Sequence, residues 1–226
     1  MISSAPVSIR CKGILFDLDG ILISSLDSVE RSWSRWAKMR GVDPTQTCKT
    51  AHGCRAIETI AKMRPDLDCL AELRVIDEIE FEDCEGITVL PGVEQVLSAL
   101  PKERWVVVTS ATERVARARL AAGGIAAPAR FIHAESVTQG KPHPAPYLAG
   151  AALLGYKPED CVVVEDAASG VKAGRAAGCT VVATTFSHSV ESLNAAHYLI
   201  PNMTGVEVKT LAGAEGLVLR FTPLSR

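Results

Sequence analysis

Asp17-Leu18-Asp19-Gly20 follows the short apolar run GILF at 13–16. Side chains alternate along an extended chain, so both carboxylates point to one side while Leu18 points into the core. Two acids side by side at a strand end repel each other and are costly unless a cation sits between them. A polar turn closing the strand accounts for a bare D-x-D-G about as well. Three more polar groups are expected at the ends of later strands, where open α/β sheets place their ligand sites. Thr109-Ser110 ends WVVVTS with a hydroxyl and successive backbone N–H groups just before a helix, which suits phosphate; an ordinary helix cap uses the same residues. Lys141 stands in the stiff loop Gly140-Lys141-Pro142-His143-Pro144, where a solvated surface lysine is the common alternative. Glu165-Asp166 ends CVVVED, where the acids could equally cap the helix that follows. Four such groups in this order, each at the end of a strand, are poorly explained as independent caps.

The elements that must carry them alternate regularly. GILF, WVVVTS (105–110), CVVVED (161–166) and TVVATT (180–185) are continuous apolar runs, as expected of strands covered on both faces. Helical patterns over 92–100, 113–122, 145–154 and 168–177 lie between and after them, which predicts a Rossmann-like, doubly wound parallel sheet in an α/β core. From 25 to 85 only helical periodicity is visible: Val29, Trp33, Trp36 and Ala37, a stop at Gly41, then Leu70, Leu73 and Ile76 mixed with Asp77 and Glu80. The expected organisation is a core of residues 1–24 and 87–226 with an inserted all-helical cap over 25–86, entered at 23–25 and left at 86–92. Helix-spaced Trp33 and Trp36 read as packing inside that cap rather than as a platform for a sugar ring.

Composition removes several function classes. With 47 % hydrophobic and 22 % charged residues in 226, the chain can build a core and is not globally disordered. Its 24 Lys+Arg against 26 Asp+Glu show no basic stripe for gripping nucleic acid. No apolar run approaches the roughly 20 residues of a membrane span. The opening MISSAPVSI lacks the features of a secretory signal and reads as a loose tail. Seven scattered cysteines without a C-x-x-C pair argue against a zinc site or disulfide framework and fit a reducing cytoplasm. A cytoplasmic monomer is the expected state.

Taken together, the four polar groups resemble the motifs of the haloacid dehalogenase superfamily: D-x-D-x-[TV], a Thr or Ser, a Lys, and an acidic pair, with a cap between the first and second. HGCRAIETIAKMRPDL (52–67), EGITVLPG (85–92), QGKPHPAPYL (139–148) and VVVEDAASGVKAGRAAGC (162–179) are similar to its sugar and polyol phosphatases, those of glycerol-3-phosphate and 2-deoxyglucose-6-phosphate among them. The resemblance implies an Mg²⁺-dependent phosphatase acting on a small phosphorylated metabolite. Asp17 would be the nucleophile that forms an aspartyl-phosphate, and Asp19 the general acid and then base. Thr109, the Ser110 amide and Lys141 would hold the phosphoryl oxygens. Asp17, Asp166 and the Asp19 backbone carbonyl would bind Mg²⁺, with Glu165 acting through water. In the cap, His52, Gly53 and Arg55 would face the substrate, Arg55 binding hydroxyls or a second anion; an Arg55 paired with one of the cap's own acids is the competing reading. Two positions depart from the family pattern: Ile21 replaces the usual Thr or Val, and Ser24 replaces a common Asp. A phosphosugar mutase of the β-phosphoglucomutase type shares the four motifs, and a catalytically weak phosphometabolite-binding protein is a third reading.

Overall fold

Residues 5–211 and 216–225 are described by a computed structural model. The chain starts with β1 (Val7–Cys11) and β2 (Gly13–Phe16) and reaches the short β3 (Ile23–Ser24). Four helices follow: α1 (Leu26–Arg40), α2 (Pro44–Ala51), α3 (Ala56–Met63) and α4 (Cys69–Glu82). Then come β4 (Thr88–Val89), α5 (Val93–Ala99), β5 (Trp105–Val107), α6 (Glu113–Ala122) and α7 (Ala145–Leu154). The chain continues through β6 (Cys161–Glu165), α8 (Ala168–Ala176), β7 (Thr180–Thr184), β8 (Tyr198–Ile200), β9 (Glu207–Thr210) and β10 (Leu217–Phe221).

A five-stranded parallel sheet in the order β5-β2-β6-β7-β8 forms the centre, with α7 and α8 packed on its strands. Every residue of β2 and β6 is buried, which is why these strands read as unbroken apolar runs. Register decides where the polar groups emerge. Phe16 lies opposite Val107 on one side and Val164 on the other, so Asp17, Val108 and Glu165 leave their strands at one edge. β5 ends at Val107, and Thr109-Ser110 already lies beyond the strand, in the turn that leads to α6.

The loose tail expected over 1–9 is corrected from Val7 onward; residues 1–4 lie outside the described residues. Val7, Ile9 and Cys11 alternate with exposed Ser8 and Arg10, the signature of a half-covered strand. β1 pairs antiparallel with β10, which pairs with β9, making a separate three-stranded sheet.

Helices α1–α4 surround their own apolar cluster, containing Trp33, Trp36, Ile60 and Ile76, separate from the cluster around the central sheet. Trp33 and Trp36 meet edge to face with centroids 5.6 Å apart, and Trp36 Nε1 donates to Glu72 Oε2 at 2.9 Å. Fully buried Ile60 and Ile76 each contribute about 1.5–3 kcal/mol by leaving water. Asp43 and Asp68 accept the first free N–H groups of α2 and α4, fixing where these helices start. The two chain crossings into and out of this block pair as antiparallel β3 and β4. No described helix is long and apolar enough to cross a membrane.

Candidate active site

The carboxyl ends of β2 and β6 bring three acids together with Lys141, which comes not from a strand end as expected but from the loop that leads into α7. Lys141 Nζ lies 2.9 Å from Asp17 Oδ1 and 2.7 Å from Glu165 Oε1, and also donates to the Val108 carbonyl at 3.1 Å. Lys141 is only 1 % exposed, so it is a buried ion-pair partner and not the solvated lysine of the alternative reading. Burial alone would lower its proton affinity; Asp17 and Glu165 outweigh burial and hold the ammonium above its usual range.

Glu165 is the best-satisfied member. It accepts from Lys141, from the Tyr147 hydroxyl at 2.7 Å, and from the backbone N–H groups of Asp166 and Ala167 at 2.9 Å each. Burial pushes its carboxyl up, but Lys141 and these donors prevail and keep it below the ordinary range. A side chain at Gly170 would place its Cβ 1.6 Å from Glu165 Oε1, so only glycine leaves room for this carboxylate. Gly20 has a similar duty, with φ +78° and a hypothetical Cβ 2.0 Å from Asp166 Oδ2.

Asp17 and Asp166 are less well satisfied. Burial pushes Asp17 well above the usual carboxyl range; Lys141 opposes this, while Glu165, Asp166 and Asp19 add to it. Asp166 is likewise raised, first by burial and then by Glu165, against His52 and Ser187. Oxygens of Asp17, Glu165 and Asp166 lie within 4.8 Å of one another, and Asp166 Oδ1 is buried without a hydrogen-bond partner. Three carboxylates against one ammonium leave excess negative charge, and the donors are all hard oxygens. That donor set and the orphaned oxygen fit a divalent cation of the Mg²⁺ type.

Asp19 stands apart from this trio. Its carboxylate accepts from Ser25 Oγ at 2.5 Å and from Arg119 Nη1, which is 3.2 Å from each oxygen. Arg119 also reaches Glu80 Oε1 of α4 at 3.0 Å and is 2 % exposed. Sequence reasoning passed over Arg119. The signal was its place on the buried stripe of α6 with Val115, Ala116 and Leu120, where an arginine needs a reason.

Thr109 is buried and its Oγ1 accepts from the Ala111 N–H at 3.1 Å. Ser110 Oγ and Ser169 Oγ both donate to the Gly53 carbonyl at 3.2 Å, joining the α2–α3 turn to the sheet edge. His52 Nε2 is 3.7 Å from Asp166 Oδ2; burial would lower its proton affinity, but that carboxylate raises it overall. Ser187, also missed from sequence, donates to the same Asp166 oxygen. A cavity is lined by Asp17, Asp19, Ser110, Arg119 and Asp166 from the core and by Val29, Trp33, His52, Leu73, Asp77 and Glu80 from the helical block.

Arg55 is the exception among the expected residues. Its guanidinium pairs with Glu58 at 2.6 Å and donates to the carbonyls of Ala134, Val137 and Thr138 at 2.8–3.3 Å. These contacts clasp the helical block to the core and match the competing reading of Arg55 as an ion-pair partner of one of the cap's own acids.

The sequence pattern described as "haloacid dehalogenase-like hydrolase" matches residues 11–178. Hexitol phosphatase A of Escherichia coli is 44 % identical over 204 residues, covering 88 % of this chain and 94 % of that protein. Glycerol-1-phosphate phosphohydrolase 2 of Saccharomyces cerevisiae is 37 % identical over 199 residues, covering 82 % and 80 %. The fold is shared with a solved β-phosphoglucomutase from Clostridium difficile, at a TM-score of 0.75 and 21 % identity over 85 % of this chain and 92 % of that one.

Proposed function

Since the chain belongs to the haloacid dehalogenase-like hydrolases and is a phosphoric monoester hydrolase of that family, we propose that it dephosphorylates small sugar or polyol phosphates through an aspartyl-phosphate on Asp17. The observation that carries this reading is the buried Asp17–Lys141–Glu165 arrangement beside Asp166, whose Oδ1 has no partner. Asp17, Asp166 and the Asp19 carbonyl would hold Mg²⁺, with Glu165 contributing through water. When bound, the ion offsets the repulsion between a carboxylate nucleophile and a phosphate dianion, which for two unit charges 4 Å apart is roughly 4 kcal/mol at an effective dielectric of 20.

Asp17 attacks phosphorus and the ester oxygen departs, taking a proton from Asp19; Asp19 then removes a proton from the water that hydrolyses the intermediate. An ionised carboxylate needs no separate base, which is why no Ser–His pair is required. Thr109, the Ser110 amide and Lys141 orient the phosphoryl oxygens, while Glu165 fixes Lys141. Residues 25–86 act as the cap over a core of 1–24 and 87–226, with His52 and the Gly53 turn closing on the site. The apolar and hydroxyl-accepting wall of Val29, Trp33, Asp77 and Glu80 suits an uncharged polyhydroxyl leaving group. Every residue proposed for this site comes from one chain, so the chemistry asks for no partner copy, and seven free thiols suit the reducing cytoplasm proposed for it.

The test is phosphate release from hexitol phosphates, glycerol phosphates and hexose phosphates, with Mg²⁺ and with a chelator. Free phosphate should appear in step with substrate loss, which a phosphosugar mutase would not give. Asp17→Asn should abolish turnover and acid-stable phosphoprotein trapping; steady hydrolysis by that variant would refute the nucleophile.

A further inference from the structure

Arg119 is a buried charge to which the reaction above gives no part. It projects from α6 of the core, touches both Asp19 oxygens through Nη1 at 3.2 Å, and reaches Glu80 Oε1 through Nη2 at 3.0 Å. Glu80 belongs to α4 and is itself buried. Neighbouring Asp77 is already engaged by Thr112 and Arg114. Arg119 Nε is buried with no hydrogen-bond partner, and the side chain lines the cavity. A guanidinium needs pairing to be buried, and one carboxylate would have sufficed. This one is shared between an acid of the core and an acid of the helical block. The planar fork gives each acid its own nitrogen, Nη1 to Asp19 and Nη2 to Glu80, so the position of one carboxylate fixes the angle at which the other is met.

We propose that Arg119 is the positioning residue for Asp19, and that it holds the carboxylate toward the cavity only while Glu80 is seated against it. Docking of α4 and alignment of Asp19 are then one event. The inference rests on the reading of Asp19 as the group that protonates the leaving oxygen. In that step the Asp17–phosphorus bond forms, the ester P–O bond breaks, and the Asp19 proton passes to the departing oxygen. Without Arg119, Asp19 keeps Ser25 as its remaining side-chain partner and turns with it.

The test compares two phosphate esters on the Mg²⁺-loaded enzyme by rapid quench. A polyol phosphate needs a proton on its leaving alkoxide; 4-nitrophenyl phosphate releases a stable phenolate without one. Arg119→Gln should slow phosphoenzyme formation from the polyol ester by roughly 10²-fold, the size expected when a reacting group is misplaced by about 1 Å. The nitrophenolate burst should stay near the parent rate. Arg119→Lys and Glu80→Gln should show the same selective loss to a smaller degree, and they carry the test if Arg119→Gln does not fold. Equal losses on both esters, or none, would reduce Arg119 to a structural pair and overturn the proposal. Asp19→Asn is the reference: if it slows the two esters equally, the assignment of Asp19 falls and the role of Arg119 falls with it. If Asp19→Asn discriminates and the Arg119 and Glu80 variants do not, only the present proposal fails.

Discussion

Removing the hydroxyl of Tyr147 tests the charge network directly. Tyr147 is fully buried, and its OH donates to Glu165 Oε1 at 2.7 Å, the oxygen that also receives Lys141. Burial, Glu165 and Asp17 keep the phenol protonated well above its ordinary range, so it is a donor at any practical pH. Tyr147→Phe keeps the ring and deletes one bond to a charged acceptor. Such a bond contributes about 1.5–3 kcal/mol. At about 2–4 °C per kcal/mol for a chain of this size, the melting point should fall by roughly 3–12 °C. Lys141 still has Asp17 and the Val108 carbonyl, so turnover should drop by no more than about tenfold, or roughly 1.4 kcal/mol in the barrier. Thermal melts of the parent, Tyr147→Phe, Glu165→Gln and the double variant complete a cycle, and a coupling of about 0.5–3 kcal/mol is expected. A melting point within a degree of the parent, or additive effects in the cycle, would refute the claim that the two side chains act as a bonded pair.

Other expectations follow from the same geometry. Gly170→Ala would drive a methyl to 1.6 Å from Glu165 Oε1, evicting the carboxylate from its four donors. Urea denaturation should register a loss of about 3–5 kcal/mol, as for other broken buried charge networks; an unchanged midpoint would count against the packing described. Burial pushes the thiols of Cys11, Cys161 and Cys179 up to about 12. Since the thiolate is the reactive form, mass spectrometry after mild alkylation of the native protein should find these three unmodified, and all seven modified after unfolding. Deleting residues 1–11 removes the strand that pairs with β10 along Val7↔Phe221 to Cys11↔Leu217. The exposed edge should lower the melting point and promote self-association, visible by light scattering.

β2, β5, β6 and β7 were legible because both faces are covered and the runs are mostly apolar, whereas β8, only three residues long, and β10 were not, although Leu199, Ile200, Leu217 and Leu219 are buried. Strands whose pairing is not local were missed as well. β1 is half-covered by β10, more than 200 residues away along the chain, and Val7, Ile9 and Cys11 alternate too briefly to stand out. β3 and β4 are two residues each and exist only by pairing with one another. Asp17, Thr109 and Asp166 were legible because polar residues at the ends of apolar runs are conspicuous, and Lys141 through the Gly-Lys-Pro-His-Pro loop that holds it. Tyr147 and Ser187 were not, since each meets its acidic partner in space rather than in sequence, and Arg119, though out of place on a buried helix face, gave no sign of a partner 100 residues away. Arg55 shows what motif position leaves out: it aims the residue at the substrate but gives no sign of Glu58 three residues on or the carbonyls at 134, 137 and 138, which take its donors here.

The two crossings between core and helices are bonded edge to edge, Ile23 to Val89 and Ser24 to Thr88. Separate tethers would allow the helices to slide, tilt and spin independently. A bonded strap resists shear within its plane and yields by bending across its face, so excursions reduce mainly to a swing about one axis. In the cap motion proposed above, the moving wall would return to the same seat after each turnover, guided by backbone pairing, and a substitution that weakens either strand would slacken both ends of the travel.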